Sequence, residues 1–67
     1  MFKPGDKLKE GVVVKVGDDG GVLVGREAEP GEATPAGFSE HVFGTRRVFL
    51  HPSQGAIHHS RLHKAGK

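Results

Sequence analysis

The sequence contains no cysteine, no tryptophan and no tyrosine, and it has only four phenylalanines. Without cysteine the chain can form neither a disulfide nor a thiolate metal site. Hydrophobic residues make up 34% of the 67 residues, so the core must be built from few side chains. A chain of this length buries roughly 60% of the surface that its unfolded form exposes, which makes its stability marginal. We therefore expect one small domain over residues 1–67.

Long apolar runs are also missing. No stretch approaches the ~20 apolar residues needed to cross a bilayer, and the opening "MFKPGDKLKE" lacks the apolar segment of a signal peptide. We expect no membrane partner and a cytoplasmic location. Glycine, in contrast, is abundant at 11 residues, which favours short strands joined by tight turns over long helices.

Negative charge is missing from the C-terminal part of the chain. Residues 1–40 carry five lysines and arginines against eight carboxylates, whereas residues 41–67 carry five such cations, all five histidines and no carboxylate. The formal charge is therefore −3 in the first part and +5 in the second. One interpretation is a basic surface that binds an anionic partner. The other is a solvated surface that the acidic part neutralises in space.

The run "GVVVKVGDDGGVLVG" predicts a β-hairpin, because two valine-rich segments flank a cluster of glycine and aspartate. A three-residue loop at 18–20 with Gly20 in the left-handed conformation sets Val16 opposite Val22 and Val14 opposite Val24. The same register points Val13 and Lys15 outward. It gathers five valines on the inner face: Val12, Val14, Val16, Val22 and Val24.

Residues 28–44, "AEPGEATPAGFSEHVFG", contain too many helix breakers for a helix. We expect a long, partly mobile loop here, with its second half docked on the sheet through Phe38, Val42 and Phe43. Next, "TRRVFLH" predicts a strand, "PSQG" a turn and "AIHH" a short returning strand. "SRLHK" predicts a closing helical turn, and residues 64–67 a flexible basic tail.

The order of these elements resembles a small SH3-like barrel, on the strength of "FKPGDKL", the valine hairpin, the second hairpin and the closing "SRLHKA". The expected fold class is thus all-β, a small SH3-like barrel of four to five short strands with one long loop and a C-terminal helical turn. The KOW-type version in ribosomal and transcription-elongation proteins is similar to "GDKLKEGVVVKVGDDGG" and implies nucleic-acid binding. Plasmid-borne type II dihydrofolate reductase shares the barrel, but its Val-Gln-Ile-Tyr run has no counterpart here, so its activity is not expected.

Catalysis and metal binding are not expected. Ser39, Glu40 and His41 are consecutive, and neighbours on a strand point to opposite faces, so they form no catalytic relay. "GDDGG" puts carboxylates where a phosphate would lie. His59 and His63 share a face if the closing turn is helical, but no carboxylate or cysteine nearby completes a metal site. We expect no enzyme, no cofactor, no metal and no small-molecule substrate.

Weak nucleic-acid binding makes the best use of the basic half, because arginine binds phosphate with a bidentate fork. Phe49 alternates with Arg47 and His51 on its strand, where an aromatic ring can stack on a base. The alternative places Phe49 in a second core layer under the long loop. The predicted nucleic-acid-binding residues are Arg46, Arg47, Phe49, His58, His59, Arg61, His63 and Lys64.

A protein-interaction adaptor or regulatory protein, of the kind that phages and plasmids encode, is the alternative function. A basic face can dock an acidic protein as readily as a phosphate backbone. An exposed apolar patch formed by Val13, Leu23 and Phe49 indicates an apolar protein partner or a homodimer, whereas a continuous cationic stripe indicates nucleic acid.

Overall fold

A computed structural model describes residues 1–65 of the chain. Its regular structure consists of short antiparallel strands and a closing turn. The strands are β1 (Val12–Val16), β2 (Gly21–Glu27), β3 (Ser39–Phe43), β4 (Arg46–Leu50) and β5 (Ile57–His58), and a 3₁₀ turn spans His59–Arg61. Over these 65 residues no helix has the length and apolar character needed to cross a bilayer.

The sheet is built on β2. Along one edge β2 pairs with β1, and along the other it pairs first with β5 at Val22 and then with β4 at Arg26. β3 adds to the far side of β4, which gives the strand order β1-β2-β4-β3. Because β2 takes two partners in succession along one edge, the antiparallel sheet curls into a half-barrel. The prediction of a small all-β domain is confirmed.

The loop of the first hairpin is confirmed. Gly20 has a φ of 90°, the left-handed conformation that a three-residue loop requires. The Asp19 side chain closes this loop, because its Oδ1 accepts a hydrogen bond from the N–H of Gly21 at 3.0 Å. The aspartate thus has a local structural role.

The predicted register of the first hairpin is correct next to the loop and wrong farther from it. Val16 lies opposite Val22, as expected, but Val24 lies opposite Val13 instead of Val14. A β-bulge at Val14 shifts the pairing by one residue and reverses the faces beyond it. As a result, Val13, which was predicted to point outward, is completely buried.

The predicted loop at 28–44 is wrong in its second half. Residues Ser39–Phe43 form β3, which pairs with β4 from Ser39↔Leu50 to Phe43↔Arg46 across the two-residue turn 44–45. The connection without a strand is therefore 28–38. The mobility of its "EPGEATP" portion stays a prediction.

The predicted flexible tail at 64–67 is attached at its start. Lys64 forms a β-bridge with Leu8, and the N–H of Ala65 donates to the carbonyl of Lys7 at 3.2 Å. Gly66 and Lys67 lie outside the described residues.

Aliphatic side chains from both ends of the chain form the core. The buried cluster packs β1 and β2 against residues that precede and follow the sheet, so the two ends of the fold close over the first hairpin. Its members are Leu8, Val13, Val22, Val24 and Leu62, with Phe2, Val16 and Ile57 packed against them. Val48 and Phe49 are consecutive and both buried, so β4 is covered on both faces.

Gly25 allows β2 and β4 to approach each other closely. A Cβ atom at this position would lie 2.7 Å from the carbonyl oxygen of Phe49 and 2.7 Å from Cγ1 of Val48. Both distances are well inside van der Waals contact, and the first atom belongs to the backbone, which cannot rotate away. The half-barrel therefore requires glycine where β4 joins β2.

The substitution Gly25→Ala is expected to lower the free energy of unfolding by about 1–3 kcal/mol, because the added methyl group forces β4 away from β2. Gly55→Ala is the matched control, since a Cβ there meets no atom within 4 Å. The control should change stability by less than roughly 1 kcal/mol. Urea unfolding followed by far-UV circular dichroism measures both variants, and equal stabilities would contradict the role given to Gly25.

Candidate functional site

The two arginines of β4 lie on opposite faces of the sheet. Consecutive residues of a strand alternate, so Arg46 and Arg47 cannot contribute to one binding surface. Nε of Arg46 lies 3.3 Å from Oε2 of Glu27, and its Nη1 donates to the carbonyl of Gly5 at 3.1 Å. Lys7 pairs with the same carboxylate at 2.7 Å. The hydrogen bond from Lys7, followed by the charge of Arg46, lowers the pKa of Glu27.

On the opposite face, Arg47 forms an ion pair with Glu40 of β3. The hydrogen bond from Arg47 lowers the pKa of the Glu40 carboxyl. Arg26 lies nearby and makes a two-pronged pair with Glu32, at 2.9 and 3.1 Å. The cations on this face are therefore already bound to carboxylates.

Phe49 lies beneath these arginines. Its side chain is 1% exposed, and the guanidinium carbons of Arg26 and Arg47 are each 5.3 Å from the ring centroid. The predicted stacking of Phe49 on a nucleic-acid base is therefore wrong, because no ring face is accessible. The alternative interpretation, a second core layer, describes the residue, and Glu32 of the 28–38 connection holds one of the covering arginines in place.

The cations after the 3₁₀ turn pair with carboxylates near the start of the chain. Nζ of Lys64 lies 3.6 Å from Oδ2 of Asp6. His63 contacts Glu10 twice, through Nδ1 at 3.0 Å from Oε2 and through its backbone N–H at 3.2 Å from Oε1. The side-chain hydrogen bond from His63 is the main reason that the pKa of Glu10 is lowered.

His58 and His59 lie side by side at the 3₁₀ turn, with ring centroids 4.3 Å apart. Nδ1 of His58 accepts a hydrogen bond from the backbone N–H of Ser60 at 3.2 Å and lies 2.8 Å from the serine hydroxyl. His58 is thus the N-cap of the turn. Arg61, in the same turn, is exposed and has no ionic partner among residues 1–65.

The same cap occurs a second time. Nδ1 of His51 accepts from the backbone N–H of Ser53 at 3.1 Å and lies 2.6 Å from its hydroxyl. In both cases the ring nitrogen accepts a hydrogen bond from a backbone N–H of its own turn. A structural role as turn caps accounts for two of the five histidines.

The predicted basic residues do not form one stripe. Arg46 and Arg47 point to opposite faces, and Lys64 and His63 are held by Asp6 and Glu10. The turn residues His58, His59 and Arg61 make up a separate group. Of the four cations Arg46, Arg47, Arg61 and Lys64, only Arg61 lacks an ionic partner in the described chain.

Ser39 and His41 meet on one face of β3. The serine hydroxyl donates to the carbonyl of Leu50 at 3.2 Å and lies 2.9 Å from Nε2 of His41. Glu40 turns to the other face, towards Arg47. Within residues 1–65 no group of three His, Asp or Glu side chains converges as a metal site.

The outer edge of β3 is a feature that the sequence analysis missed. In a hairpin with a two-residue turn, the residues that flank the turn bond to each other, and bonding then alternates along the pair. Phe43 and Arg46 flank the turn, so Ser39, His41 and Phe43 bond to β4. The N–H and C=O groups of Glu40 and Val42 therefore point away from the sheet.

Nothing in the described chain pairs with these outward groups. β1, at the other end of the sheet, is covered near its start, since Val13 exchanges backbone hydrogen bonds with Gly5 and Asp6. β3 has no such cover within residues 1–65. Val42 is also 60% exposed, so an apolar side chain accompanies these outward backbone groups.

Val13, Leu23 and Phe49 do not form the exposed apolar patch that would indicate an apolar protein partner or a homodimer. Val13 and Phe49 are buried, and Leu23 is only partly exposed. Within residues 1–65, the exposed large apolar side chains are Met1 and Val42, and Val42 lies beside the open edge. Comparison of this chain with known protein families, with curated proteins and with solved structures finds no match.

The ion pair between Arg26 and Glu32 makes the stability of the fold depend on pH. The hydrogen bonds from Arg26, together with one from the backbone N–H of Glu29, lower the pKa of Glu32 to about 2. Because this pKa is lower in the folded chain than in the unfolded chain, the pair stabilises the fold above a pH of about 4.5. That contribution is lost as the pH falls towards about 2.

In Arg26→Gln, the Glu32 carboxyl should titrate closer to its ordinary pKa of about 4.5, and the loss of stability in acid should be shallower. Carboxyl chemical shifts in an NMR titration and urea unfolding across the acid range measure these effects. Lys9→Gln removes an exposed cation that makes no ion pair in the described chain and serves as the control. An unchanged Glu32 midpoint in Arg26→Gln would show that the pair does not form in solution.

Proposed function

We propose that this chain is a small non-enzymatic binding module of the SH3-like barrel type, and that its partner is a protein. The observation that carries the proposal is the open outer edge of β3, where two residues direct their backbone groups to solvent beside the exposed Val42. A protein surface in extended conformation can satisfy such groups, whereas a nucleic acid offers no matching ladder. The cytoplasmic location of this chain stays a prediction from the sequence.

The binding mode would be strand addition. A partner segment that lies antiparallel to β3 bonds to the N–H and C=O groups of Glu40 and Val42, which gives affinity without regard to sequence. Side chains that alternate along the partner then contact two different rows. One row contains Val42 and the Arg47–Glu40 ion pair, and the other contains His41 and Phe43.

Nucleic-acid binding through the basic half is the less favoured function. A phosphate that bound Arg46, Arg47 or Lys64 would have to displace the carboxylate that already forms an ion pair with that side chain. Surface ion pairs are individually weak, so a phosphate can displace the carboxylate. Each displacement replaces one weak ion pair with another, however, and therefore contributes little to the free energy of binding. The exposed turn with His58, His59 and Arg61 supplies too few contacts for firm binding without a second basic element.

A display library of unconstrained random peptides should enrich sequences that alternate β-branched and polar residues, the pattern of an added strand. Val42→Pro removes one outward N–H without removing a ladder bond to β4, so it should weaken the enriched peptides about tenfold. Gln54→Lys, an exposed change in a distant turn, is the control. Circular dichroism checks that both variants fold.

The competing function is tested with a fluorescent oligonucleotide at two salt concentrations. We expect little binding. Affinity that falls steeply with salt, combined with no enriched peptide, would reject the protein-binding proposal and restore nucleic acid as the partner. Peptides that bind Val42→Pro as tightly as the unchanged chain would remove β3 as the docking site.

A further inference from the structure

We infer that a second copy of this chain is the partner that binds the β3 edge, so that two sheets join into one through a two-fold axis. This inference rests on the proposed function, because it uses the same edge. A two-fold dimer of this kind is closed at this edge: each copy uses its β3 edge for the other copy, and no further copy can add there.

The backbone groups of β3 match those of a second β3 in antiparallel orientation. When His41 lies on the two-fold axis, Glu40 of one protomer faces the partner's Val42, and Val42 faces the partner's Glu40. These are the residues whose N–H and C=O groups point outward. Each facing pair exchanges two hydrogen bonds, so the dimer gains four. The two His41 residues form a non-bonded pair on the axis, where side chains approach most closely.

The side chains also permit a second copy. In this register Val42 lies opposite the partner's Glu40, whose methylene groups cover part of its exposed surface. No like charges lie directly opposite each other, because Glu40 faces valine and is neutralised by Arg47 in its own protomer.

β3 lacks several of the features that prevent edge pairing in monomeric proteins. It contains no proline and no lysine, and its pairing with β4 is regular, without the bulge seen in β1. Such an edge on a small domain of limited core is expected to pair. A second copy is always present at the concentration of the protein itself, which is why it is the natural occupant.

Amide hydrogen exchange by NMR tests the inference on the intact chain. At low protein concentration the amides of Glu40 and Val42 should exchange rapidly, whereas those of His41 and Phe43 should be protected by β4. At high concentration the first two should also become protected. Sedimentation velocity over the same range should show a monomer converting to a dimer, and no larger species.

His41→Lys tests the register, because it places two like charges directly opposite each other only if His41 lies on the axis. It should weaken dimerisation about tenfold or more, with partial recovery in high salt, whereas the neutral control His41→Gln should dimerise normally. Dimerisation that tolerates His41→Lys would overturn the proposed register.

The outcomes separate this inference from the proposed function. A chain that remains monomeric at every concentration, but whose β3 edge binds selected peptides, would overturn the inference alone. A dimer in which Glu40 and Val42 exchange rapidly would also overturn it, because another surface would then be the interface. A monomer that binds no peptide would overturn both.

Discussion

The structure depends on the division of one edge of β2 between two partners. β5 occupies its beginning and β4 its end. β4 is attached through two residue pairs, Arg26↔Phe49 and Glu27↔Val48, and through a backbone hydrogen bond from Ala28 to Arg47. The β3–β4 hairpin therefore projects from the end of β2. Its attachment is reinforced by side chains, since Glu27 pairs with Arg46 while Arg26 covers Phe49. The absence of a side chain at Gly25 makes the junction possible.

Folding also cancels the charge asymmetry of the sequence. Cations of the second part meet carboxylates of the first part in the pairs Arg46–Glu27, Lys64–Asp6 and His63–Glu10. Each pair is partly exposed to solvent and contributes little to stability alone. Together with the pair Arg47–Glu40, they leave Arg61 as the one Lys or Arg of residues 41–65 without an ionic partner, so charge that is separated along the chain becomes mixed in space. This cancellation favours a backbone edge over a basic surface as the place where a partner binds.

Local signals in the sequence were sufficient for much of the fold. The Gly/Asp cluster defined the first hairpin and its loop, because turn chemistry acts within a few residues. The bulge at Val14 could not be foreseen, since three successive valines fit either register equally well. β3 had a readable signal: "SEHVF" and "RRVFL" are separated by two residues, the first a glycine, which is typical of a hairpin. The prolines that precede this segment are typical of a loop, and a loop was therefore predicted over the whole of 28–44.

The candidate site was less predictable. Alternation on β4 suggested an outward Phe49, but burial on both faces of a strand depends on what the 28–38 connection covers, which is a tertiary property. Likewise, no spacing rule pairs Lys64 with Asp6 across the whole chain. An open edge is a property of the assembled sheet and becomes visible only when every strand has been placed.

The caps formed by His51 and His58 lie on either side of β5, the shortest strand of the sheet. In each cap, a ring nitrogen accepts a hydrogen bond from the backbone N–H of a serine two residues later. A strand of two residues forms few hydrogen bonds with its neighbour, so the position of β5 beside β2 depends on the turns before and after it. Two imidazole rings thus fix where the shortest strand begins and ends.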